Sequence, residues 1–284
     1  MATDSSPFSD LDRPPLRRAA LERALVRPGG PWREIEVLPE LGSTNTELIG
    51  RAREGAAEGA VLVTEHQTAG RGRLDRAFHT PARAALTFSV LLRPDVAPSS
   101  YGWLPLLMGV AAVRGIGRVA EAAAGLKWPN DVVSTAADAE RKLAGILSEA
   151  ASSPDGTAIV IGMGLNVSQS RAELPVDTAT SLLLEGAPCT DRDPLLRAVL
   201  RGFADRYRAW LEHGGDAEAC GLAAEYREHC TTIGREVRVR LPGERLLEGE
   251  AVGVDADGRL TVRTAGGGRT SLSAGDVVHV RPAA

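Results

Sequence analysis

Cysteine is scarce in this chain of 284 residues; Cys189, Cys220 and Cys230 are the only three. Their number is odd and none has CxxC spacing, so neither a disulfide framework nor a zinc site is supported, and a reducing compartment is expected. No apolar run approaches the roughly 20 residues that a membrane-spanning helix needs. The opening residues are polar and include Asp4, Asp10 and Asp12, which argues against a signal peptide; the expected location is cytoplasmic. Excess positive charge is missing too. A formal net charge of -4 argues against general affinity for nucleic acid, which draws on a basic surface. Two common phosphate-binding signatures are also absent. No GxxxxGK[ST] loop occurs, and the candidate GxGxxG word has Asp75 where its third glycine belongs.

What remains is ordinary in bulk and unusual in one place. An apolar fraction of 43% and a charged fraction of 25% suit a globular protein, and the length suits one large domain plus a small one. Within this mildly acidic chain, Gln67-Thr68-Ala69-Gly70-Arg71-Gly72-Arg73-Leu74-Asp75-Arg76 concentrates three guanidinium groups on a backbone that two glycines keep mobile. Arginine forks match phosphate and carboxylate in bidentate geometry, so such a loop can wrap both anions together.

Residues 1–14 are polar, contain proline and are expected to be disordered. A short helix is predicted over Leu16–Val26, ended by Pro28-Gly29-Gly30-Pro31, and a strand over Glu34–Leu38. Thr44 with Glu47 has the capping-box pattern at the head of a helix running to Arg53. Buried strands are predicted at Val61–Val63 and Leu86–Leu92, and a core helix over Trp103–Ala123 that Gly109, Gly115 and Gly117 weaken. Further strands are predicted at Gly125–Trp128, Lys142–Ala150 and Ala158–Val167, the last two forming an antiparallel hairpin about Ser152-Ser153-Pro154-Asp155-Gly156. Helices follow over Leu195–Glu212 and Leu222–Cys230. From Ile233 onward, five short alternating runs divided by Pro242-Gly243, Asp257-Gly258 and Gly266-Gly267-Gly268 predict a small β-barrel. Trp32, Trp103 and Trp210 are read as core residues, and His66 and His79 as core or surface histidines.

A second informative word is Lys127-Trp128-Pro129-Asn130-Asp131. A lysine at the end of a buried strand, followed by a proline-fixed turn, has its ammonium aimed at a site. At about 4 Å and an effective dielectric near 20, such a charge is worth about 4 kcal/mol against an anion. Two glycine-bearing strands, Leu143-Ala144-Gly145-Ile146-Leu147-Ser148-Glu149 and Ile161-Gly162-Met163-Gly164-Leu165-Asn166-Val167, give up packing in mid-strand, which marks close approach by a ligand or a second backbone. Taken singly, each is more simply a glycine of sheet packing.

Together with Ser43-Thr44-Asn45, these words stand in the order and spacing of the biotin protein ligases, and the sequence resembles that family over about residues 35–282. The resemblance implies an ATP-dependent enzyme that activates biotin as biotinyl-5′-AMP and transfers it to a lysine of a carboxylase carrier domain. It implies an α/β (α+β) fold: a catalytic domain like that of class II aminoacyl-tRNA synthetases over 15–231, with a mixed, largely antiparallel sheet, and an SH3-like β-barrel over 232–284. Biotin contacts are implied for Ser43, Thr44, Asn45, Gln67, Arg71, Gly72, Arg73, Lys127, Gly145, Ile146 and Leu147. Contacts to ATP or the adenylate are implied for Gly70, Arg71, Arg73, Arg76, Phe78, Lys127, Asn130 and Asn166, with Lys127 and Arg73 catalytic. Magnesium is expected to arrive on the ATP phosphates, with no dedicated metal cage. The residue chemistry agrees: a carboxylate and a triphosphate repel, so cations must neutralise both before they meet.

The sequence departs from the family's loop at two positions, Asp75 for a glycine and Phe78 for a tryptophan. Asp75 is expected to stiffen the loop, and Phe78 to pack without an indole donor. Fewer than 40 residues precede the ligase core, too few for the winged helix-turn-helix of some members, so no operator binding is expected. The expected partner is a biotin carboxyl carrier protein or domain, with no nucleic acid and no membrane, and the protein itself a monomer or weak homodimer. A lipoate ligase and a non-catalytic biotin sensor remain the competing readings.

Overall fold

The computed structural model describes residues 13–73, 76–136, 140–241, 246–273 and 276–279. Its larger part is a seven-stranded sheet in the order β1-β2-β3-β7-β6-β5-β4. The strands are β1 (Glu34–Leu38), β2 (Ala60–Thr64), β3 (Ala85–Leu92), β4 (Ala124–Lys127), β5 (Asp131–Ser134), β6 (Arg141–Ser153) and β7 (Gly156–Asn166). β1 and β2 run parallel, and the other five ladders are antiparallel, the mixed and largely antiparallel sheet that was expected. Helices α1 (Arg18–Leu25), α2 (Thr44–Arg53), α3 (Trp103–Val119), α4 (Arg192–Glu212) and α5 (Leu222–His229) complete this part. No helix among the described residues is long and apolar enough to cross a membrane.

Strand alternation sorts the side chains between two faces. Val61 and Val63 of β2, Phe88 and Val90 of β3, and Ile161 and Met163 of β7 join the main core with α1, α3, α4 and α5. Leu62, Leu91 and Val160 face the other way and bury Leu48 and Ala52 of α2. Two glycines that weakened the prediction of α3 are what let it pack closely. A Cβ at 109 would lie 2.9 Å from Leu126 Cδ2, and one at 115 would lie 2.9 Å from Val199 Cγ2. The helix stops at Val119, short of the expected Ala123. Trp32, Trp103 and Trp210 are buried.

Three local expectations need correction. The cap of α2 is Ser43, whose side chain accepts from Thr46 N; Thr44 is already helical, and Glu47 bonds Arg51 instead of closing a capping box. Strand β5 was not anticipated, because the turn at Pro129-Asn130 is short enough for Asp131 to pair at once with Lys127. Arg13 and Pro14 are tied down, not loose. Arg13 pairs with Glu173 at 2.7 Å, and Pro14 O accepts from Arg192 Nη2 at 2.7 Å. Arg192 in turn makes a buried ion pair with Glu65 at 2.5 Å. Residues 1–12, and with them most of the expected disordered start, lie outside the described residues.

The smaller part is an antiparallel five-stranded sheet in the order β11-β10-β9-β8-β12. Its strands are β8 (Glu236–Arg240), β9 (Leu246–Val254), β10 (Leu260–Arg263), β11 (Arg269–Leu272) and β12 (Asp276–His279). Val237, Val239, Ala251, Leu260 and Val262 are its buried face. The expected Pro242-Gly243 turn falls outside the described residues. The turn between β9 and β10 docks on the larger part, where Trp103 Nε1 donates to Ala256 O at 2.7 Å and Trp128 Nε1 to Gly258 O at 3.1 Å.

Candidate active site

One cavity of about 1710 Å³ opens between the head of α2, the arginine loop, the β4–β5 turn, the middle of β6 and β7, and the edge of the small sheet. Its floor follows from strand register. Gly145 pairs with Gly164 and Leu147 with Gly162, while Thr87 and Ser89 of β3 pair with the same two glycines from the other side. Residues at spacing two share a face, so this side of the sheet presents bare backbone at its centre. Side chains come in from above to use that space. The Phe78 ring lies over Gly164, where a Cβ would stand 2.5 Å from its Cζ, and Lys142 Nζ lies over Gly145 at 3.2 Å from a Cβ there. Asn45 Oδ1 rests against Gly162.

At the α2 end, a buried polar network fixes the lining. Thr44 N donates to Gln67 Oε1 at 2.8 Å. Ser89 Oγ stands 2.7 Å from Thr44 Oγ1 and 2.6 Å from Asn45 Oδ1. A serine has one proton and Asn45 Oδ1 can only accept, so that proton goes to Asn45; Thr44 Oγ1, which also has a single proton, lies 3.2 Å from Gln67 Oε1 as well. Asn45 Nδ2 donates to Leu147 O at 3.1 Å and to Glu149 Oε2 at 2.9 Å. This end offers neutral hydroxyls and amides beside the apolar Ile146 and Leu147.

The opposite end is cationic. Lys127, at the end of β4, is half-buried and lines the cavity. The turn that follows contains the cis Trp128–Pro129 bond, and Trp128 is buried with its backbone N–H donating to Thr232 Oγ1 at 3.1 Å. Asn130 locks the turn to β6, since its Nδ2 donates to Ile146 O at 2.9 Å and its own carbonyl accepts from Ile146 N at 2.8 Å. Arg73 Nη1 reaches across to Asn130 Oδ1 at 3.2 Å. Arg73 and Lys127 therefore meet on one cavity. Arg71 and Arg76 are exposed at its mouth, where Arg71 pairs with Glu149 at 3.1 Å.

All but one of the sequence-predicted site residues line this cavity. The exception is Gly70, which the structure assigns to shaping the loop: its carbonyl accepts from Phe78 N at 2.9 Å, and a Cβ would meet Gln67 Nε2 at 2.7 Å. Asn166 reaches the cavity with its amide committed, donating to Thr180 O at 2.9 Å and accepting from Gln169 Nε2 at 3.0 Å. It orders the chain beyond β7 more than it offers a free donor. Asp75 lies outside the described residues. Sequence reasoning missed Lys142, whose Nζ is 2.6 Å from Asp131 Oδ1, and the polar floor residues Thr87 and Ser89. No sequence signal pointed to Lys142: three positions from Gly145 an ideal strand would put it on the opposite face, and the β5–β6 register shifts beside it, between Val132 and Val133. It also missed Glu140. Burial pushes that carboxyl up, yet hydrogen bonds from His279 and Thr231 and the charge of Arg235 pull it down to about 2.

The sequence profile of the Biotin/lipoate A/B protein ligase family matches residues 38–166. The Biotin protein ligase C terminal domain profile matches residues 232–280, and the chain belongs to the biotin protein ligase family. The Biotin–[acetyl-CoA-carboxylase] ligase of Mycobacterium tuberculosis is 42% identical over 278 residues, which are 96% of this chain and 98% of that relative. Among solved structures, a biotin protein ligase from Aquifex aeolicus in complex with biotin and ATP aligns with a TM-score of 0.71 at 28% identity, covering 88% of this chain and 100% of that one. A Leishmania major biotin protein ligase in complex with biotinyl-5-AMP aligns with a TM-score of 0.57 at 25% identity, covering 85% and 99%.

Proposed function

We propose that this chain activates biotin with ATP and transfers it to a lysine of a biotin carboxyl carrier domain, both steps using the one cavity. A biotin carboxylate oxygen attacks the α-phosphorus of ATP and the bond to pyrophosphate breaks, giving biotinyl-5′-AMP. The carrier lysine's amine then attacks the acyl carbon, AMP leaves, and the amine gives up a proton. One observation carries this reading: Arg73 and Lys127 converge on a cavity whose other end is neutral and partly apolar. Biotin is a neutral bicyclic urea on an apolar tail that ends in a carboxylate. Its head suits Ser43, Thr44 and Gln67, with Asn45 shaping the wall, and its tail suits Gly145, Ile146 and Leu147. The carboxylate and α-phosphate then fall among Arg73, Lys127 and Lys142, which offset their repulsion. Arg71, Gly72 and Arg76 close the mouth, which shields the anhydride from water. Phe78 and Asn130 are assigned to the adenylate side. Magnesium would come with the nucleotide's phosphates; the cavity-lining carboxylates of Asp131 and Glu140 are themselves paired with Lys142, and with Arg235 and His279.

The named function of the M. tuberculosis relative supports a carrier domain of acetyl-CoA carboxylase as the acceptor. We place the protein in the cytoplasm, acting as a monomer or weak homodimer without nucleic acid. Incubation with ATP, magnesium, labelled biotin and a purified carrier domain tests the reading, with covalent label on the carrier expected. Labelling by lipoate and not by biotin would reverse the substrate, and biotin binding without adenylate formation would reduce the protein to a sensor.

A further inference from the structure

Glu149 does not line the cavity, yet it joins two parts that do. It follows Leu147 by two residues on β6, so its side chain leaves the same face of the sheet, beneath the head of α2. Its Oε2 accepts from Asn45 Nδ2 at 2.9 Å, and its Oε1 accepts from Arg71 Nη2 at 3.1 Å. Thr46 Oγ1, in the first turn of α2, stands 3.5 Å from Arg71 Nη1. One carboxylate therefore holds an asparagine of the polar pocket and the first arginine of the loop.

The loop closes on itself through Gly72 N to Arg76 O at 2.7 Å and Phe78 N to Gly70 O at 2.9 Å. The base of the loop is held by backbone, Thr68 N donating to Leu41 O at 3.0 Å and Ala69 N to Gly42 O at 2.8 Å, and beyond that base side chains tie it to the cavity walls. Arg73 ties one side of the loop to Asn130 and the β4–β5 turn, and Arg71 ties the other to β6 and α2 through Glu149. The loop is strapped across the opening by two arginines that pull toward opposite walls.

We propose that Glu149 is a positioning residue that latches the arginine loop over the neutral end of the cavity and, through the same carboxylate, couples loop closure to the orientation of Asn45. The proposal rests on the reading that biotin occupies that end. Glu149→Gln keeps an acceptor for Asn45 but removes the charge that holds Arg71. Its biotinyl-5′-AMP should dissociate roughly three- to fivefold faster than from the parent, the scale of a part-exposed ion pair, and the parent's rise in dissociation rate with salt should flatten in the variant. Glu149→Ala removes both bonds and should in addition raise the KM for biotin.

A ligand-free measurement separates the latch from the assigned substrate. Trypsin should cleave at the loop arginines faster in Glu149→Gln than in the parent while the thermal midpoint stays within a degree or two (order of magnitude for a surface change). Unchanged cleavage and unchanged adenylate release in Glu149→Gln would overturn the latch. If the parent retains no biotin at all, the functional reading falls, and the trypsin comparison alone decides whether Glu149 holds the loop. Should Glu149→Ala fail to fold, the glutamine variant still decides.

Discussion

Lys127 and Arg73 bring charge to the same cavity from opposite kinds of backbone. Lys127 ends a β-hairpin strand, and its neighbour Trp128 is buried and bonded to Thr232 and Gly258. Arg73 follows Gly72 on the arginine loop, where Gly72 N donates to Arg76 O and Phe78 N to Gly70 O. The cation at the strand end is held beside a buried tryptophan, whereas the one on the loop is held through its own side-chain bond to Asn130. A site that must admit two anions and then hide their product needs both arrangements.

Mutations should separate the two. Trp128→Ala attacks the fixed side at its base. Loss of a buried indole is expected to cost about 3–5 kcal/mol, seen as a lower thermal midpoint in calorimetry; a midpoint close to the parent's would mean the turn does not depend on that anchor. Lys127→Ala should leave the fold intact and slow adenylate formation about 100-fold, because a pre-aimed charge near an anion is worth several kcal/mol at most. Pyrophosphate release reports it, and a near-normal rate would remove Lys127 from the chemistry. Arg73→Ala should be milder, roughly 10-fold on the same assay, since its guanidinium is partly engaged by the Asn130 amide. If the two alanine variants proved equal, the contrast between strand-borne and loop-borne charge would lose its functional meaning.

The smallest expected effect is on pH dependence. Glu173 is drawn down to about 2, first by its hydrogen bond from Arg13, and Glu140 lies at about 2 as well. Both carboxyls are depressed in the folded state, so each adds stability that is whole above its ordinary value of 4.5 and fades as pH falls toward 2. Glu173→Gln should flatten the acid side of the stability profile measured by chemical denaturation. A profile as steep as the parent's below pH 4.5 would show that this carboxyl contributes nothing there.

The secondary structure was legible where period and turn chemistry agree. The β6–β7 hairpin was visible in its Pro-Asp-Gly turn, and the small sheet in its alternating valines. β5 was not, because a strand of four residues beginning inside a turn word has too little pattern to register. The α2 cap was misplaced by one residue, since Ser43 and Thr44 are both able caps and only the pull of Gln67 and Ser89 on Thr44 decides between them. At the site, words of several residues could be read from sequence, but partners contributed singly from another strand could not. Ser89 and Lys142 carry no local motif, and their place is fixed only by register across β3, β7 and β6. The glycines were read as sites of close approach, and the structure fills them with Asn45, Phe78 and Lys142.

The indole of Trp128 has one more consequence. It is fastened to the Gly258 carbonyl in the small sheet, one residue along the chain from Lys127. The small part and the turn that follows Lys127 thus share one indole as their fastening.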